Sequence, residues 1–218
     1  MRIETTSRTL YDFDELSDEG KEKAREWWRQ AENKCDFAEH VIDDAAEIAA
    51  LLGIDLRKTP VKLGNGTVRY KPTIYWAGFS SQGDGACFEG LYSFRNKAAE
   101  AVGHHATQDA ALRGIAISLD TIQAENNNSL WANIRYCGHY YHSNCMRIEV
   151  GTDAMDDDGA FLEVSRETSG IVAELLRDFA DWIYSRLETE YNYLMSTEQV
   201  DENIRANGYE FLEDGTIA

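Results

Sequence analysis

Hydrophobic residues recur with helical spacing along much of the chain. A helix is predicted to begin near Ser17, which suits an N-cap because acidic residues follow it. Longer apolar stripes predict helices over about Phe37–Leu52 and Ser169–Leu194, and shorter ones over Asn96–Val102 and Thr107–Ala124. Thr107 is the expected N-cap of the last of these.

Other segments are rich in β-branched and aromatic residues, which favours strands. A hairpin is predicted around Gly64-Asn-Gly66, because Asn-Gly is typical of tight hairpin turns. The predicted strands are Thr5–Phe13, Val61–Leu63, Thr67–Tyr70, Thr73–Phe79, Ala86–Phe94, Leu130–Tyr136, Asn144–Val150 and Tyr209–Leu212. Ser196 and Gln199 match a capping box for a short last helix ending at Gly208.

Helices and strands come in blocks and do not alternate, which favours an α+β fold. We expect an antiparallel sheet of about five to seven strands, packed against several helices that include the long C-terminal amphipathic one. The sequence shows no long linker and no internal repeat, so we expect one domain over residues 1–218 with an acidic helical part at about 151–218.

The charge balance restricts the classes of partner that the protein can bind. The chain has 39 acidic and 21 basic residues, for a net charge of −18, and residues 151–218 contain 17 acids and four bases. Such a balance disfavours direct contact with nucleic acid or an anionic membrane and suits a basic partner. No apolar run reaches about 18 residues, and Met1–Thr6 lacks a signal-peptide core, so we expect a cytoplasmic protein with cysteine thiols.

The most unusual segment is Gly78–Gly90, where four glycines and several polar side chains lie between predicted strands. Glycines let the main chain approach a ligand closely, and the polar side chains offer donors and acceptors. The alternative is an elaborate hairpin loop whose side chains bind their own main chain. The candidate ligand-binding side chains are Ser80, Ser81, Gln82, Asp84 and Glu89.

A second candidate segment is Cys137–Cys145, which contains two histidines and two cysteines. Their spacing does not suit a structural zinc site, so no metal and no cofactor are expected. A binding or acid–base role is open to the histidines, and a tight aromatic turn is the alternative. The candidate residues here are His139, Tyr141, His142 and Asn144.

These two segments would form one site if they lay at the same end of the sheet. A histidine near Asp84 or Glu89 would then allow nucleophile chemistry at Ser80 or Ser81. The chain has neither a phosphate-binding loop with Lys-Ser/Thr nor a Gly-x-Ser-x-Gly motif, so no catalytic residue is assigned and binding is favoured over catalysis.

The third candidate is the polar side of the long C-terminal helix, which is acidic. Its side chains would bind a basic partner or imitate the phosphates of a nucleic acid, and a solvated helix face is the alternative. These residues are Glu167, Glu174, Asp178, Asp181 and Glu188.

Several motifs resemble, in the same order, a family of phage and prophage proteins labelled "antitoxin of toxin–antitoxin stability system". The Val61–Lys71 hairpin is longer than that family's pattern, and no function is carried onto it. The resemblance implies an accessory protein of a phage or mobile element acting inside a bacterium. The matching segments are Tyr11–Glu19, Ala24–Trp28, Phe79–Gly90, Gly138–Asn144, Asp178–Tyr184, Glu190–Leu194 and Asn207–Phe211.

Taken with the charge, the resemblance predicts a non-enzymatic protein that binds and neutralises a bacterial toxin or defence component. It would act through its acidic surface, its glycine-rich pocket, or both. The alternative is a pocket that sequesters or hydrolyses a nucleotide-like signal or metabolite. The sequence names neither partner nor oligomeric state.

Overall fold

The computed structural model describes residues 8–32 and 37–218. The helices are α1 (Asp18–Glu32), α2 (Ala38–Leu51), α3 (Ala98–His105), α4 (Ala110–Glu125), α5 (Arg166–Leu194) and α6 (Thr197–Asn207). The strands are β1 (Tyr11–Asp12), β2 (Ile54–Leu56), β3 (Lys58–Lys62), β4 (Val68–Pro72), β5 (Ile74–Ala77), β6 (Gly85–Phe88), β7 (Gly90–Ser93), β8 (Leu130–Tyr136), β9 (Met146–Thr152) and β10 (Glu210–Phe211).

The chain divides into two compact units. The sheet unit is Ala38–Glu188, and the terminal unit is Met1–Phe37 with Thr189–Ala218. The single domain expected from the sequence stays a prediction. None of the helices in the described ranges has the length and apolar character needed to cross a membrane.

The centre of the sheet unit is a four-stranded antiparallel sheet in the order β2-β7-β8-β9. Side chains along β8 alternate, because successive residues of a strand point to opposite faces. Leu130, Ala132 and Ile134 are buried, whereas Trp131 and Arg135 are exposed. One face of the sheet is therefore covered, and the second is open.

Helices α4 and α5 supply much of the buried core. Gln123 of α4 is itself buried: its side-chain amide donates to the Leu130 carbonyl (2.8 Å) and the Tyr92 hydroxyl (3.1 Å), and accepts from the Leu130 N–H (3.1 Å). On α5, the Phe179 ring makes an edge contact with Phe88. The register of β8 against α4 is thus held by hydrogen bonds as well as by apolar burial.

We define the open face as the exposed and half-buried side chains that share a side with Trp131. The strand register places opposing residues in rows, since directly paired residues point to the same face. One row is Asp55–Leu91–Asn133–Glu149, and Arg135 lies opposite Arg147. The members of the open face are Asp55, Leu91, Ser93, Trp131, Asn133, Arg135, Arg147 and Glu149.

Two hairpins accompany this sheet. Strands β3 and β4 form one two-stranded sheet, and β5 and β6 form another. The sequence predicted a single strand over Ala86–Phe94, which is wrong: the chain leaves β6 at Glu89 and joins β2 and β8 as β7. Gly90 permits this change, because a Cβ there would lie 2.4 Å from the Asp55 carbonyl oxygen.

The terminal unit pairs β1 with β10 and packs α1 against α6. Its ion pairs include Arg25 with Asp201 (2.7 Å), and Arg25 accordingly has a raised pKa, chiefly through that hydrogen bond. Its buried core comprises Phe13, Leu16, Ala24, Trp28, Val200, Ile204 and Phe211. This small core joins the two ends of the described chain.

The α+β class with antiparallel sheets and a long C-terminal helix is confirmed. The strand number expected for one sheet is too high: the largest sheet has four strands, and the described residues place the others in two-stranded sheets. Thr107 does not cap α4; the carboxylate of Asp109 does, by accepting from the Leu112 N–H (2.9 Å). Of the predicted Thr5–Phe13 strand, residues 5–7 lie outside the described residues, and the rest contains β1.

Gln123→Leu removes the hydrogen bonds to Leu130 and Tyr92 while keeping a similar volume. Because the buried main-chain groups of Leu130 lose their partner, we expect the free energy of unfolding to fall by about 2 to 4 kcal/mol. Urea unfolding followed by circular dichroism measures it. Gln108→Leu, at an exposed position, is the matched control, and an equal stability of the two variants would contradict the role of Gln123.

Candidate functional site

The glycine-rich segment connects β5 to β6. Its loop is held by Asp84, whose Oδ2 accepts from the main-chain N–H groups of Ser80 (2.9 Å) and Ser81 (2.6 Å). The Tyr184 hydroxyl donates to the Gly78 carbonyl (2.8 Å), and burial with the nearby Asp84 charge raises the pKa of Tyr184. Asp84 thus bonds its own loop, while Ser80, Ser81 and Gln82 are exposed.

Glu89 lies at the other end of the segment and is largely buried, with 13% of its side chain exposed. Its Oε2 pairs with Arg57 Nη1 (3.1 Å), and its Oε1 accepts from the Tyr136 N–H (3.2 Å). Both carboxylate oxygens are therefore engaged within the protein, and the side chain links the β2–β3 junction to the end of β8.

The loop Gly138–Asn144 packs against the glycine-rich loop. A Cβ at Gly83 would lie 2.8 Å from the Tyr140 ring, and one at Gly85 would lie 2.7 Å from the Tyr141 carbonyl oxygen. Gly83 also has φ +107°, which side chains rarely adopt. The two segments singled out in the sequence thus meet in space, as a shared site would require.

The polar groups of the second loop also have internal partners. His142 Nδ1 accepts from the Asn144 N–H (3.1 Å), and the Tyr141 ring stacks on Tyr75 with centroids 5.4 Å apart. His139 and Asn144 are exposed. Across the described ranges, no hydrogen bond joins Ser80 or Ser81 to either histidine, so the geometry does not assemble a nucleophile with its base.

Three of the four cysteines lie within the described residues. Cys87, Cys137 and Cys145 are free thiols, and Cys35 lies outside the described residues. Burial raises the pKa of the Cys87 thiol to about 12, so it is protonated at neutral pH. Where the structure describes the chain, no three His, Cys, Asp or Glu side chains gather as metal ligands.

The acidic side chains of α5 form one stripe, which we call the acidic stripe: Glu167, Glu174, Asp178, Asp181 and Glu188. At 100° per residue they fall within an arc of about 80°, and they extend along about 31 Å of helix. All are exposed except Glu188, which is half-buried. The predicted acidic helix face is therefore a continuous surface of the sheet unit.

Asp178 lies at the middle of the acidic stripe. Partial burial raises its pKa above the usual 3.8, and the charges of Glu174 and Asp181 raise it further. Glu174 and Asp181 thus place like charge beside Asp178, and no cation is among the causes of the shift. A negative potential concentrates at this point of the helix.

The sequence did not identify a cleft on the open face. The cleft has a volume of about 630 Å³ and is bordered by cations from the β2–β3 junction and from β8. Two carboxylates also border it, one of them the Arg57-paired Glu89. The sequence did contain a signal for this cleft, because its lining cations come from two stretches, residues 56–83 and 126–148, that contain no acidic residue. The charged lining residues are Asp55, Arg57, Lys58, Glu89 and Arg135.

A second cleft, of about 560 Å³, was also missed. His105 Nε2 lies 2.8 Å from Asp44 Oδ1 at its edge, and Trp182 Nε1 donates to Asp109 Oδ2 (2.7 Å). Arg186 completes the lining. His105 is the last residue of α3 and Asp44 lies on α2, so only the tertiary fold joins them.

The model of one protein family matches residues 37–197, and that family is described as "Domain of unknown function (DUF8835)". Because the match spans well over half of the 218 residues, the chain belongs to this family. Both loops and the acidic stripe lie within the match. Comparison with curated proteins found no match, and comparison with solved structures found none.

Gly85→Ala tests the contact between the two loops. The added methyl group would overlap the Tyr141 carbonyl, so we expect a loss of about 1 to 3 kcal/mol in unfolding free energy. Gly64→Ala is the control, because no atom lies within 4 Å of its Cβ position. Thermal unfolding distinguishes the two variants, and equal melting temperatures would show that the loops do not touch.

Asp178→Asn tests the repulsion within the acidic stripe. A carboxyl whose pKa is raised by folding destabilises the folded state above that pKa, and this penalty disappears as the pH falls through it toward 3.8. We therefore expect the variant to be more stable at pH 7, by less than about 1 kcal/mol because the site is exposed. The gain should vanish in acid.

Urea midpoints between pH 3 and pH 8 measure this gain. Asp157→Asn removes an exposed carboxylate outside the acidic stripe and serves as the control. A loss of stability at pH 7 in Asp178→Asn would show instead that the carboxylate has a favourable partner.

Proposed function

We propose that this protein is an accessory protein of a phage or mobile element that acts in the bacterial cytoplasm. It binds and neutralises a toxin or defence component without catalysis, and the acidic stripe is its contact surface. The observation that carries the proposal is the close grouping of the exposed carboxylates Glu174, Asp178 and Asp181 on one helix face. The phage-protein resemblance of the motifs supports the biological setting.

Negative charge is left uncompensated around Asp178, in the middle of the acidic stripe. A basic surface that docks on α5 would supply the cations that Asp178 lacks, and the like-charge penalty would become an attraction. A negative potential over about 31 Å of helix would also speed the encounter with a basic partner. A toxin or defence protein that binds nucleic acid has a basic groove of that kind.

The two loops give less support to a pocket function. Asp84 bonds the N–H groups of Ser80 and Ser81, and Glu89 bonds Arg57 and Tyr136. These carboxylates stabilise the loops: one oxygen of Asp84 and both oxygens of Glu89 already accept hydrogen bonds within the protein. The nucleotide-like ligand stays an alternative prediction, favoured only by the convergence of the loops.

A variant that neutralises the centre of the acidic stripe tests the proposal. We expect the wild-type protein to retain a basic bacterial protein from lysate at low salt. The variant should retain at least about tenfold less of that protein, since close interfacial charge pairs contribute about 1.5 kcal/mol or more. Quantitative mass spectrometry of the retained proteins gives the ratio. The substitutions are Glu174→Gln, Asp178→Asn and Asp181→Asn.

A second triple variant is matched in charge but lies in the terminal unit: Glu198→Gln, Glu202→Gln and Glu210→Gln. It should retain the partner like wild type. The captured protein is then expressed in bacteria, and growth should be arrested without this chain and restored with it. Equal losses in both triple variants, or growth that the chain does not restore, would refute the proposal.

A further inference from the structure

Two long stretches of this acidic chain carry a net positive charge. Residues 56–83 contain five Lys or Arg residues and no Asp or Glu. Residues 126–148 contain two Arg residues and, again, no Asp or Glu. Together these 51 residues hold seven of the 21 basic residues in a chain with 39 acids. Both stretches lie in the sheet unit, so one compact unit carries a basic region as well as the acidic stripe.

Exposed aromatic rings are concentrated in the same stretches. Of the six aromatic side chains that are exposed in residues 8–32 and 37–218, four belong to them. These are Tyr70, Trp131, Tyr140 and Tyr141. Aromatic rings are normally buried because they remove much apolar area from water, so their exposure beside cations indicates a surface that another molecule covers.

The β3–β4 hairpin presents one such surface. Arg69 and Lys71 point toward α2 and pair with Glu39. The opposite side carries Lys58, Pro60 and Lys62 on β3 and Val68 and Tyr70 on β4, all exposed. This outer side has two cations, three apolar side chains and no acid.

The open face presents the other surface. Trp131 lies flat over Gly151, where a Cβ would fall 2.2 Å from the ring, and 37% of the residue is still exposed. Four residues further along β8, Arg135 faces Arg147 across the strand pair. Like charges in that position repel, and the ion pair of Arg147 with Glu149 (3.1 Å) offsets this only in part. An anion beside Arg135 would relieve the repulsion.

Lys58 connects the two surfaces, because it belongs to the outer side of the hairpin and also lines the 630 Å³ cleft with Arg135. We infer that the outer side of the hairpin, the cleft and the adjoining open face form a binding surface for single-stranded nucleic acid. Phosphates contact Lys58, Lys62 and Arg135, and bases stack on Tyr70 and Trp131.

A single strand fits better than a duplex, because its bases are free to stack on exposed rings, whereas duplex bases are already stacked on one another. The net charge of −18 disfavours nucleic acid only on average. At physiological ionic strength charges more than about 8 Å apart are largely screened, so the charges of the surface itself decide the contact. Glu89 is already paired with Arg57. The remaining cations, which outnumber the carboxylates Asp55 and Glu149, are Lys58, Lys62, Arg135 and Arg147. This inference does not depend on the acidic stripe or its partner.

Fluorescence anisotropy of the full chain with fluorescein-labelled oligothymidylate and oligouridylate of about 15 nucleotides tests the inference. We expect binding at 50 mM salt that weakens as salt rises. Lys58→Gln with Lys62→Gln should lower the slope of log affinity against log salt by about 1.4, for two phosphate contacts. Tyr70→Ala should weaken binding at least about fivefold at constant salt.

Arg113→Gln removes an exposed cation on α4, outside both stretches, and should bind like wild type. Absence of binding at 50 mM salt, or an equal loss in Arg113→Gln, would overturn the inference. Equal or tighter binding to a duplex of the same length, with no effect of Tyr70→Ala, would overturn the single-strand assignment. Sedimentation that shows self-association lost in the lysine variant, without nucleic-acid binding, would identify a second copy as the occupant instead.

Discussion

The side-chain amide of Gln123 holds Leu130 by both of its main-chain groups, and the rest of the sheet unit depends on this interaction. It fixes where β8 begins relative to α4, so that Leu130, Ala132 and Ile134 enter the core. Because the side chains of a strand alternate, the same register sends Trp131 and Arg135 outward. A slip of one residue would exchange the two sets and bury an arginine.

Local sequence signals predicted most elements of the fold, and the failures have tertiary causes. Ser196 was correctly predicted as the N-cap of α6, because its hydroxyl accepts from the Gln199 N–H within one turn. The second half of the predicted capping box is not formed, since the Ser196 N–H donates to the Tyr193 carbonyl. Thr107 failed as the cap of α4 because Asp109 both caps the helix and accepts from Trp182, a residue of α5. The strand break at Glu89 depends likewise on β2, which approaches Gly90 from more than thirty residues away.

The candidate site was predictable only in part. The sequence singled out the two loops and the acidic side of α5 because composition and helical period are local properties. The alternative of a loop whose side chains bind their own main chain described Asp84, because its partners Ser80 and Ser81 are local. The sequence did not reveal that Glu89 is bonded within the protein, since Arg57 and Tyr136 are distant in sequence. Net charge also concealed the basic region, because one sum over 218 residues cannot distinguish a uniform surface from a divided one.

The contact of Gly83 and Gly85 with Tyr140 and Tyr141 has a consequence for how the family can vary. Neither glycine has room for a side chain while the loop Gly138–Asn144 keeps its position. That loop in turn has no room for larger residues toward the glycine-rich loop while positions 83 and 85 stay where they are. Substitutions in the two loops are therefore coupled. Among relatives, residues at positions 83 and 85 should change together with the length and bulk of the segment at 138–144.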